Sequence, residues 1–356
     1  MSRFLSEKYA SLVPYVPGEQ PRDTQYVKLN TNESPFPPSP KVLSAVEREA
    51  KRLNLYSDPE CTELKAAAAK LYGVRPEQVL PVNGSDEILY FAFLAFGDEA
   101  HPFAFPDVSY GFYPVYASFC NVPKIEVPLA DDLSVDYRDY LDLDASILLA
   151  NPNAPTGTCL PLEEIEQIVS ANPNRLVMID EAYVDFGGES CVPLIAKYDN
   201  LLVFQTFSKS RSLAGARLGF GIGSPAVIRD LNTVKYSINP YNVNRMTQAA
   251  GVAAIEDDAY YKANAQTIIK TREATARRLT ELGFTVLPSK ANFLFAGNGA
   301  IGGEALYREL KTRGVLVRHF TKERIQNFCR ITVGTGEQME ILLTHIEAIL
   351  NTKGCE

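Results

Sequence analysis

Short apolar runs that alternate with helical segments constrain the fold of this 356-residue chain more than any other feature. The runs occupy residues 103–105, 124–127, 146–149, 176–179, 201–204 and 218–222. Most of them are apolar throughout, as is typical of strands that are buried on both faces of a sheet. We therefore expect an α/β fold in which helices cover both faces of a mainly parallel sheet.

Segments on either side of this alternation predict a division into domains. Prolines are frequent before residue 41 and limit helix formation there, which indicates an N-terminal arm. A long helix over 257–282, ended by Gly283, is followed by four short strand-like runs, and that composition suits a smaller α+β domain. The predicted units are an arm at 1–25, a small domain at 26–50 and 260–356, and a large domain at 51–259.

Composition argues against several classes of function. A net charge of −8 disfavours a broad nucleic-acid-binding surface, while a local basic pocket for small anions remains compatible with it. The six cysteines and three histidines lack the paired spacing of a metal site or a disulfide framework. No apolar run has the length of a signal core or a membrane span, so we expect a cytoplasmic protein without membrane or nucleic-acid partners.

Two charged residues come soon after predicted buried strands. Asp180 closes the run at 176–179, and Lys209 follows the run at 201–204. Because ligands collect at the carboxyl ends of parallel strands, both residues should face one crevice. A lysine by itself is usually solvated, and an aspartate at a strand end is often only a helix cap.

Tyr183 and Arg217 favour a common site for these residues over separate roles as a solvated lysine and a helix cap. The amine of Lys209 can form a Schiff base with an aldehyde, and pyridoxal phosphate is an aldehyde cofactor. The pyridine nitrogen, phenolic oxygen and phosphate of this cofactor would need an acid, a hydroxyl group and a cation. Asp180, Tyr183 and Arg217 would supply them. The sequence therefore predicts a pyridoxal-phosphate enzyme.

A predicted helix start offers a phosphate site. Gly84, Ser85 and Asp86 precede an apolar helical run, so free backbone N–H groups and the helix dipole can hold an anion there. The alternative is an ordinary N-cap formed by Ser85 or Asp86. Together with Ser208 and Arg217, the segment predicts a three-part phosphate cup.

Other candidates lie in turns and strands. Asn153 lies in a proline-rich turn after the run at 146–149, where a ligand would bind, although turn formation alone also explains its presence. Tyr110 belongs to an aromatic-rich segment and could stack on a flat ring, but aromatics this dense are more often core. Arg330 and Arg318 are unexpected charges near apolar strands and need anionic partners.

These motifs together resemble those of the fold-type I, pyridoxal-phosphate-dependent aminotransferases, and the resemblance covers nearly the whole chain. It rests on residues 29–35, 83–87, 155–157, 180–183, 208–209 with Arg217, and 330–335. The resemblance implies that Lys209 binds the cofactor covalently and moves the proton at the substrate Cα. It also implies that Asp180 keeps the pyridine nitrogen protonated and that Tyr183 hydrogen-bonds the phenolic oxygen.

The same resemblance assigns the remaining cofactor contacts. Tyr110 would stack on the ring, and Tyr56 would reach across the interface of a homodimer to the phosphate, so that the two chains share their active sites. The phosphate-binding group would otherwise comprise Gly84, Ser85, Asp86, Ser208 and Arg217.

One position departs from the family pattern. The family usually has Asn immediately before Pro-Thr-Gly, whereas this chain has Ala154 there. We expect Asn153 to take the place of the missing side chain. If Asn153 cannot reach the phenolic oxygen, Tyr183 alone would hydrogen-bond it, and the pKa of the bound cofactor would lie higher than in relatives.

Within the family, the chain looks most like members that transfer the amino group of L-histidinol phosphate to 2-oxoglutarate, giving imidazole acetol phosphate and glutamate. Arg330 would bind each anionic substrate, Arg318 would assist with the dianion, and Tyr15 would contact the substrate phosphate from the neighbouring subunit. The alternatives on this fold are a threonine-phosphate decarboxylase and an aromatic amino acid aminotransferase. A noncatalytic binding module is the alternative from another class.

Overall fold

The computed structural model describes residues 2–21 and 25–353, which form a seven-stranded, a four-stranded and a two-stranded sheet with helices around them. The α-helices are α1 (Pro40–Ala50), α2 (Thr62–Tyr72), α3 (Ser85–Phe96), α4 (Tyr113–Cys120), α5 (Leu162–Ala171), α6 (Pro225–Ile238), α7 (Arg245–Glu256), α8 (Asp258–Glu281), α9 (Gly303–Thr312) and α10 (Gly336–Lys353). The strands are β1 (Val27–Lys28), β2 (Val79–Val82), β3 (Phe103–Pro106), β4 (Lys124–Val127), β5 (Ser146–Ala150), β6 (Val177–Asp180), β7 (Leu201–Thr206), β8 (Gly219–Gly223), β9 (Thr285–Val286), β10 (Phe293–Gly297), β11 (Val315–Leu316), β12 (Arg318–His319) and β13 (Phe328–Thr332).

The seven-stranded sheet has the order β2-β8-β7-β6-β5-β3-β4. The strands from β7 to β4 pair in parallel, and β8 is antiparallel to both of its neighbours. The expected α/β class with a mainly parallel sheet is thus confirmed, and every strand predicted between 103 and 222 is present. The sequence pattern does not predict β2, because Pro81 in its middle lacks a backbone donor and argues against a strand.

Alternate residues of the central strands enter two different cores. In β6, Val177 and Ile179 pack into one apolar cluster, and Met178 packs into another with Leu148 and Leu202 of the neighbouring strands. Successive side chains of a strand point to opposite faces, so a run that is apolar throughout buries both faces of the sheet. Polar side chains are consequently left to the ends of these strands.

The four-stranded sheet has the order β12-β13-β10-β9 and is antiparallel throughout. Its core contains Leu294 of β10 and Ile331 of β13, which α9 and α10 cover through Leu306 and Leu342. The long helix expected over 257–282 is confirmed as α8. Within the described ranges, no helix has both the length and the apolar character that a membrane crossing requires.

The cores show how the segment 26–50 packs, while the domain boundaries themselves stay a prediction. Val27 and Leu29 pack with the small sheet. Val42 and Ala45 of α1 instead join the core of the large sheet, where α1 lies against α7. The segment assigned to the small domain is therefore divided between two cores, because the apolar face of α1 is buried against α7.

The two sheets meet at the carboxyl edge of the large one. β5, β6 and β7 end side by side because they pair in register, Leu149 with Ile179 and Ile179 with Val203. The segment after β1 reaches the same place from the small sheet, to which it is joined by a hydrogen bond from the Thr332 N–H to the Leu29 carbonyl. Residues from both sheets can therefore contribute to one site.

Candidate active site

A cavity of about 350 Å³ lies at this edge and contains Lys209. Most of the predicted cofactor-binding residues line it, namely Ser85, Asp86, Tyr110, Asp180, Tyr183, Ser208, Lys209 and Arg217. Residues that were not predicted to bind line it as well, namely Thr31, Glu33, Ala150, Ala154, Ala182, Thr206, Ala214 and Gly215. The fold thus brings the separate motifs of the sequence to one place.

The amine of Lys209 is surrounded by protein and faces the cavity. Its Nζ donates a hydrogen bond to the Thr31 carbonyl at 3.1 Å. Burial, reinforced by the positive charge of Arg330, lowers the pKa of Lys209 to about 8. An appreciable neutral fraction is therefore present near neutral pH, and the neutral amine is the form that acts as a nucleophile or a base.

The carboxylate of Asp180 is buried at the end of β6. It accepts hydrogen bonds from the Tyr113 hydroxyl at 3.0 Å and from the Ala182 N–H at 3.0 Å. Burial nevertheless raises the pKa of Asp180 to about 7. A cationic N–H group in the cavity beside Asp180 would favour the charged carboxylate, because an opposite charge offsets the cost of burial.

Two contacts fix the side chain of Tyr183. Its Oη accepts a hydrogen bond from Asn32 Nδ2 at 2.9 Å, and its ring meets the ring of Phe293 edge-on, at 5.0 Å between centroids and an interplanar angle of 90°. Burial raises the pKa of Tyr183 above its ordinary value, so the hydroxyl group remains protonated and able to donate.

The predicted phosphate cup is organised around Asp86. Arg217 Nη2 donates to one oxygen of Asp86 at 3.1 Å, and the Tyr110 hydroxyl donates to the other at 2.9 Å. Gly84 precedes α3 with a φ of +79°, and a Cβ added there would lie 2.6 Å from Arg217 Nη2. Glycine therefore permits the guanidinium group to approach the start of the helix closely.

Ser208, the other predicted member of the cup, follows β7 and lines the same cavity. Its backbone N–H donates to Thr206 Oγ1 at 3.1 Å, and Thr206 Oγ1 donates to Ser208 Oγ at 2.9 Å. The two hydroxyl groups thus form a hydrogen-bonded pair between β7 and Lys209. Both residues line the same cavity as the N-terminus of α3.

Asn153 does not line the cavity, whereas Ala154 does. Asn153 Nδ2 donates to the Val108 carbonyl and to Thr156 Oγ1, both at 3.0 Å, and its Oδ1 accepts from Ser109 Oγ at 2.8 Å. These bonds hold the carboxamide inside the protein. The geometry therefore does not support Asn153 as a substitute for the missing family residue, and Tyr183 is left as the donor to a phenolic oxygen.

A second cavity of about 680 Å³ adjoins the first and contains both candidate substrate-binding arginines. Arg330 is enclosed, donates from Nη2 to the Asn30 carbonyl at 3.1 Å, and has a buried Nε without a partner among the residues described. Burial lowers the pKa of Arg330 from its ordinary value. An anion in this cavity would satisfy the unpaired donor.

The N-terminal arm closes one side of the second cavity. Tyr15 stacks on Phe112 at 4.3 Å, and Arg318 donates to the carbonyl oxygens of Val16 and Pro17 at 3.1 and 3.2 Å. Tyr15 therefore faces the cavity of its own chain, whereas the family resemblance implies that it serves the neighbouring subunit. The reason is that Arg318 binds the arm back onto the small sheet.

Tyr56 lies away from both cavities of its own chain. Its side chain is 80% exposed and stacks on Tyr241 at 4.7 Å between centroids. Arg245 donates to the Tyr56 carbonyl at 2.6 Å and so holds the loop that bears it. Tyr56 is therefore not among the residues that line the site of its own chain.

Three site residues escape sequence reasoning. Tyr113 holds Asp180, and Asn32 holds Tyr183. Thr206 pairs with Ser208. Tyr113 lies in the aromatic-rich segment and Asn32 in the motif at 29–35, so both were within recognised motifs, but no linear signal identifies their partners.

The sequence is similar to those of known aminotransferases over nearly the whole length of the chain. The chain is 49% identical over 352 residues to the histidinol-phosphate aminotransferase of Brachyspira hyodysenteriae, covering 98% of this chain and 99% of the relative. It is 51% identical over 350 residues to histidinol-phosphate aminotransferase 1 of Bradyrhizobium diazoefficiens, covering 98% of this chain and 100% of the relative.

Solved structures show the same architecture. The histidinol-phosphate aminotransferase from Sinorhizobium meliloti, in complex with pyridoxal-5'-phosphate, matches with a TM-score of 0.83 at 26% identity, over 90% of this chain and 91% of that one. The histidinol-phosphate aminotransferase from Clostridium acetobutylicum has the same fold, with a TM-score of 0.85 at 22% identity, over 91% of this chain and 99% of that one. The family model for aminotransferase class I and II matches residues 24–346. The chain therefore belongs to the class I and II aminotransferase family.

Proposed function

We propose that this chain acts as a pyridoxal-phosphate-dependent transaminase that transfers the amino group of L-histidinol phosphate to 2-oxoglutarate, giving imidazole acetol phosphate and glutamate in histidine biosynthesis. The proposal rests on the grouping of Lys209, Asp180, Tyr183 and Arg217 around one cavity. It is supported by relatives about 50% identical that have this name. The same relatives disfavour the decarboxylase and the aromatic aminotransferase.

The residues around the cavity fit the cofactor. When bound, pyridoxal phosphate supplies an aldehyde for an amine and a conjugated ring that stabilises negative charge at the substrate Cα. Lys209 would hold it covalently, Asp180 would face the pyridine nitrogen, and Tyr183 would donate to the phenolic oxygen. The phosphate would be held by the N–H groups at the start of α3, by Ser208 and by Arg217.

Lys209 and Asp180 would control the protons of the reaction. With its pKa lowered to about 8, the Lys209 amine can take the proton from the substrate Cα and return it, a role that typically accelerates a reaction about 10²- to 10⁴-fold. The buried carboxylate of Asp180 is stabilised in its charged form by a positive group beside it. Asp180 and a protonated pyridine nitrogen would therefore stabilise each other, and Asp180 would keep the proton on that nitrogen.

Arg330 would bind both substrates in turn. Its unpaired Nε and its position in the larger cavity suit a carboxylate or a phosphate ester. Arg318 would assist with the dianion, and Tyr15 would close over the substrate. Arg318 would have to exchange its bonds with the Val16 and Pro17 carbonyls for the substrate phosphate.

A half-reaction screen tests the function directly. The protein loaded with pyridoxal phosphate is mixed with single amino donors, and the absorption of the bound cofactor is followed. We expect L-histidinol phosphate to convert the cofactor at far lower concentration than phenylalanine, with regeneration by 2-oxoglutarate. Preference for phenylalanine would support the aromatic aminotransferase, and release of carbon dioxide from threonine phosphate would support the decarboxylase.

A homodimer with shared active sites is the proposed assembly. Tyr56 lines neither cavity of its own chain and is strongly exposed, as is expected of a residue that serves a partner chain. The cytoplasm is the proposed compartment, and the five cysteines in the described part of the chain are free, as a reducing environment would keep them.

A further inference from the structure

Three consecutive residues contact three different groups of the active site. The Asn30 carbonyl accepts from Arg330 at 3.1 Å, and the Thr31 carbonyl accepts from Lys209 at 3.1 Å. The next residue, Asn32, uses its side chain and donates to Tyr183 at 2.9 Å. Of the three, only this last contact depends on the identity of the side chain.

The carboxamide of Asn32 is held in one orientation. Asn32 is 1% exposed and has a φ of +57°, and its backbone N–H donates to Thr332 Oγ1 at 2.9 Å. The Thr332 hydroxyl in turn donates to Asn32 Oδ1 at 3.0 Å, so the NH2 group of Asn32 is the end that faces Tyr183. The Asn32 carbonyl is fixed separately by Asn292 Nδ2 at 3.0 Å.

This orientation of the Asn32 carboxamide limits the groups to which the Tyr183 hydroxyl can donate a hydrogen bond. A phenol oxygen that accepts from Asn32 has its own O–H left to donate elsewhere. Because Phe293 fixes the ring and Tyr183 lines the cavity, a partner for that hydrogen must lie in the cavity. An N–H bond onto the phenol oxygen also polarises it and strengthens the donation of its O–H.

The composition of the turn at 151–157 makes the hydrogen bond from Asn32 to Tyr183 more important. Ala154 has no polar group to offer the cavity, and the carboxamide of Asn153 is occupied by Val108, Thr156 and Ser109. No carboxamide from that turn therefore competes for the group that Tyr183 would bind.

We propose that Asn32 is a positioning residue, whose carboxamide turns the Tyr183 hydroxyl group toward the phenolic oxygen of the cofactor and strengthens that bond in the absence of a carboxamide at position 154. The inference rests on the proposed function. Asn32 also lines the larger cavity, and the inference concerns its effect on the charge of the cofactor through Tyr183.

The test compares Asn32→Gly, Tyr183→Phe and the double variant with the unaltered protein. Glycine accepts the positive φ at position 32 without strain, so the carboxamide is removed with little effect on the backbone. We expect the pH at which the absorption of the bound cofactor titrates to rise by about half a unit to one unit in Asn32→Gly, the size expected of one hydrogen bond. Tyr183→Phe should raise it further, and the double variant should match Tyr183→Phe.

A matched control is Asn172→Ala. Asn172 is also buried, and its side chain donates two hydrogen bonds, to the Tyr140 and Ile168 carbonyls, away from the cavity. This variant should melt at a lower temperature and leave the titration unchanged. If Asn32→Gly does not fold, Thr332→Val removes the hydroxyl group that holds Asn32 Oδ1 and should move the titration in the same direction by a smaller amount.

Two results would overturn the inference. One is a titration of Asn32→Gly, or of Thr332→Val in its place, that coincides with that of the unaltered protein. The other is a double variant in which the shift of Asn32→Gly adds in full to that of Tyr183→Phe, since independent effects are additive. A failure of the proposed function would look different, because a protein without pyridoxal phosphate would develop no absorption band, and a different activity would appear in the half-reaction screen and leave these titrations unchanged.

Discussion

Lys209 and Asp180 obtain their reactivity from burial rather than from residue type. In water a lysine is fully charged and an aspartate fully ionised at neutral pH. Here the surrounding protein lowers the pKa of Lys209 to about 8 and raises that of Asp180 to about 7. Two groups of opposite type thus titrate close to neutral pH, as is common at active sites.

Removal of the Lys209 amine should abolish turnover. We expect Lys209→Ala to retain its fold and to lose transamination of histidinol phosphate, because both the covalent attachment and the base are lost. Borohydride reduction and peptide mapping of the unaltered protein should label Lys209. Lys197→Ala, which alters an exposed lysine paired with Glu166, is the control and should retain activity. Label on a different lysine would contradict the assignment.

The raised pKa of Asp180 predicts a pH-dependent stability of the cofactor-free protein. The folded-state pKa of about 7 lies above the ordinary 3.8, so the folded protein binds the proton more tightly than the unfolded chain does. The resulting stability is fully present below about pH 4 and is lost as the pH rises to about 7. Glu181, which is also buried and whose pKa is raised to about 7, acts in the same direction.

Asp180→Asn should therefore reduce the fall in melting temperature between about pH 5 and about pH 7. Glu181 should supply the part that remains. Asp144→Asn is the control, because the side chain of Asp144 is 89% exposed. A fall as steep in Asp180→Asn as in the unaltered protein would show that burial does not govern the proton affinity of this carboxylate.

At the scale of elements, the phosphate cup depends on how closely β8 approaches the start of α3. A Cβ added to Gly219 would lie 2.7 Å from the Ser85 nitrogen and 2.9 Å from the Gln205 carbonyl oxygen. Both are backbone atoms that cannot move aside as a side chain can. Glycine in β8 therefore positions the N–H groups at the helix start.

Gly219→Ala should weaken cofactor binding. The added methyl group must displace the start of α3, and we expect the dissociation constant for pyridoxal phosphate to rise by about tenfold or more, since about 1.4 kcal/mol is enough for that. Equilibrium titration of each variant with pyridoxal phosphate measures this dissociation constant. Gly299→Ala is the control, because no heavy atom lies within 4 Å of an added Cβ at that position. Equal dissociation constants for the two variants would contradict the role of the close approach.

At the scale of the whole molecule, exposed apolar side chains indicate an interface. They occur on α1 and the loop after it and on α6 and the loop after it, two segments joined by the stacking of Tyr56 on Tyr241 and by a hydrogen bond from Tyr236 to Glu60, and they are Leu43, Leu53, Leu55, Tyr56, Tyr236, Ile238 and Tyr241. Single exposed apolar side chains are normal, but a group of this size marks a contact surface. The stacked pair of Tyr56 and Tyr241 would lie within it.

We expect a mass in solution of twice the chain mass of 39.3 kDa. Tyr241→Asp should reduce it toward that of a single chain, because a charge would be buried at the interface. Ile125→Asp, which alters an exposed residue of the edge strand β4, is the control. A single-chain mass for the unaltered protein would rule out the proposed assembly.

Shared active sites predict complementation between two inactive variants. In a mixed dimer of Tyr56→Ala and Lys209→Ala chains, the chain with an intact Lys209 receives an intact Tyr56 from its partner. Co-refolding the two variants should therefore restore activity that neither has alone, up to about a quarter of the unaltered level if the chains pair at random. No gain on mixing would place Tyr56 outside the partner's site.

The α/β class and the residues that meet at the carboxyl edge of the large sheet could be predicted from the sequence alone. Apolar runs specify buried strands, and parallel strands in register bring Asp180 and Lys209 to one edge. Three features depend on tertiary contacts: Asn153 faces inward, Asn32 binds Tyr183 across 151 positions, and Tyr15 lies over its own chain. Turns and arms have no periodicity, so the direction of their side chains depends on partners that are distant in sequence.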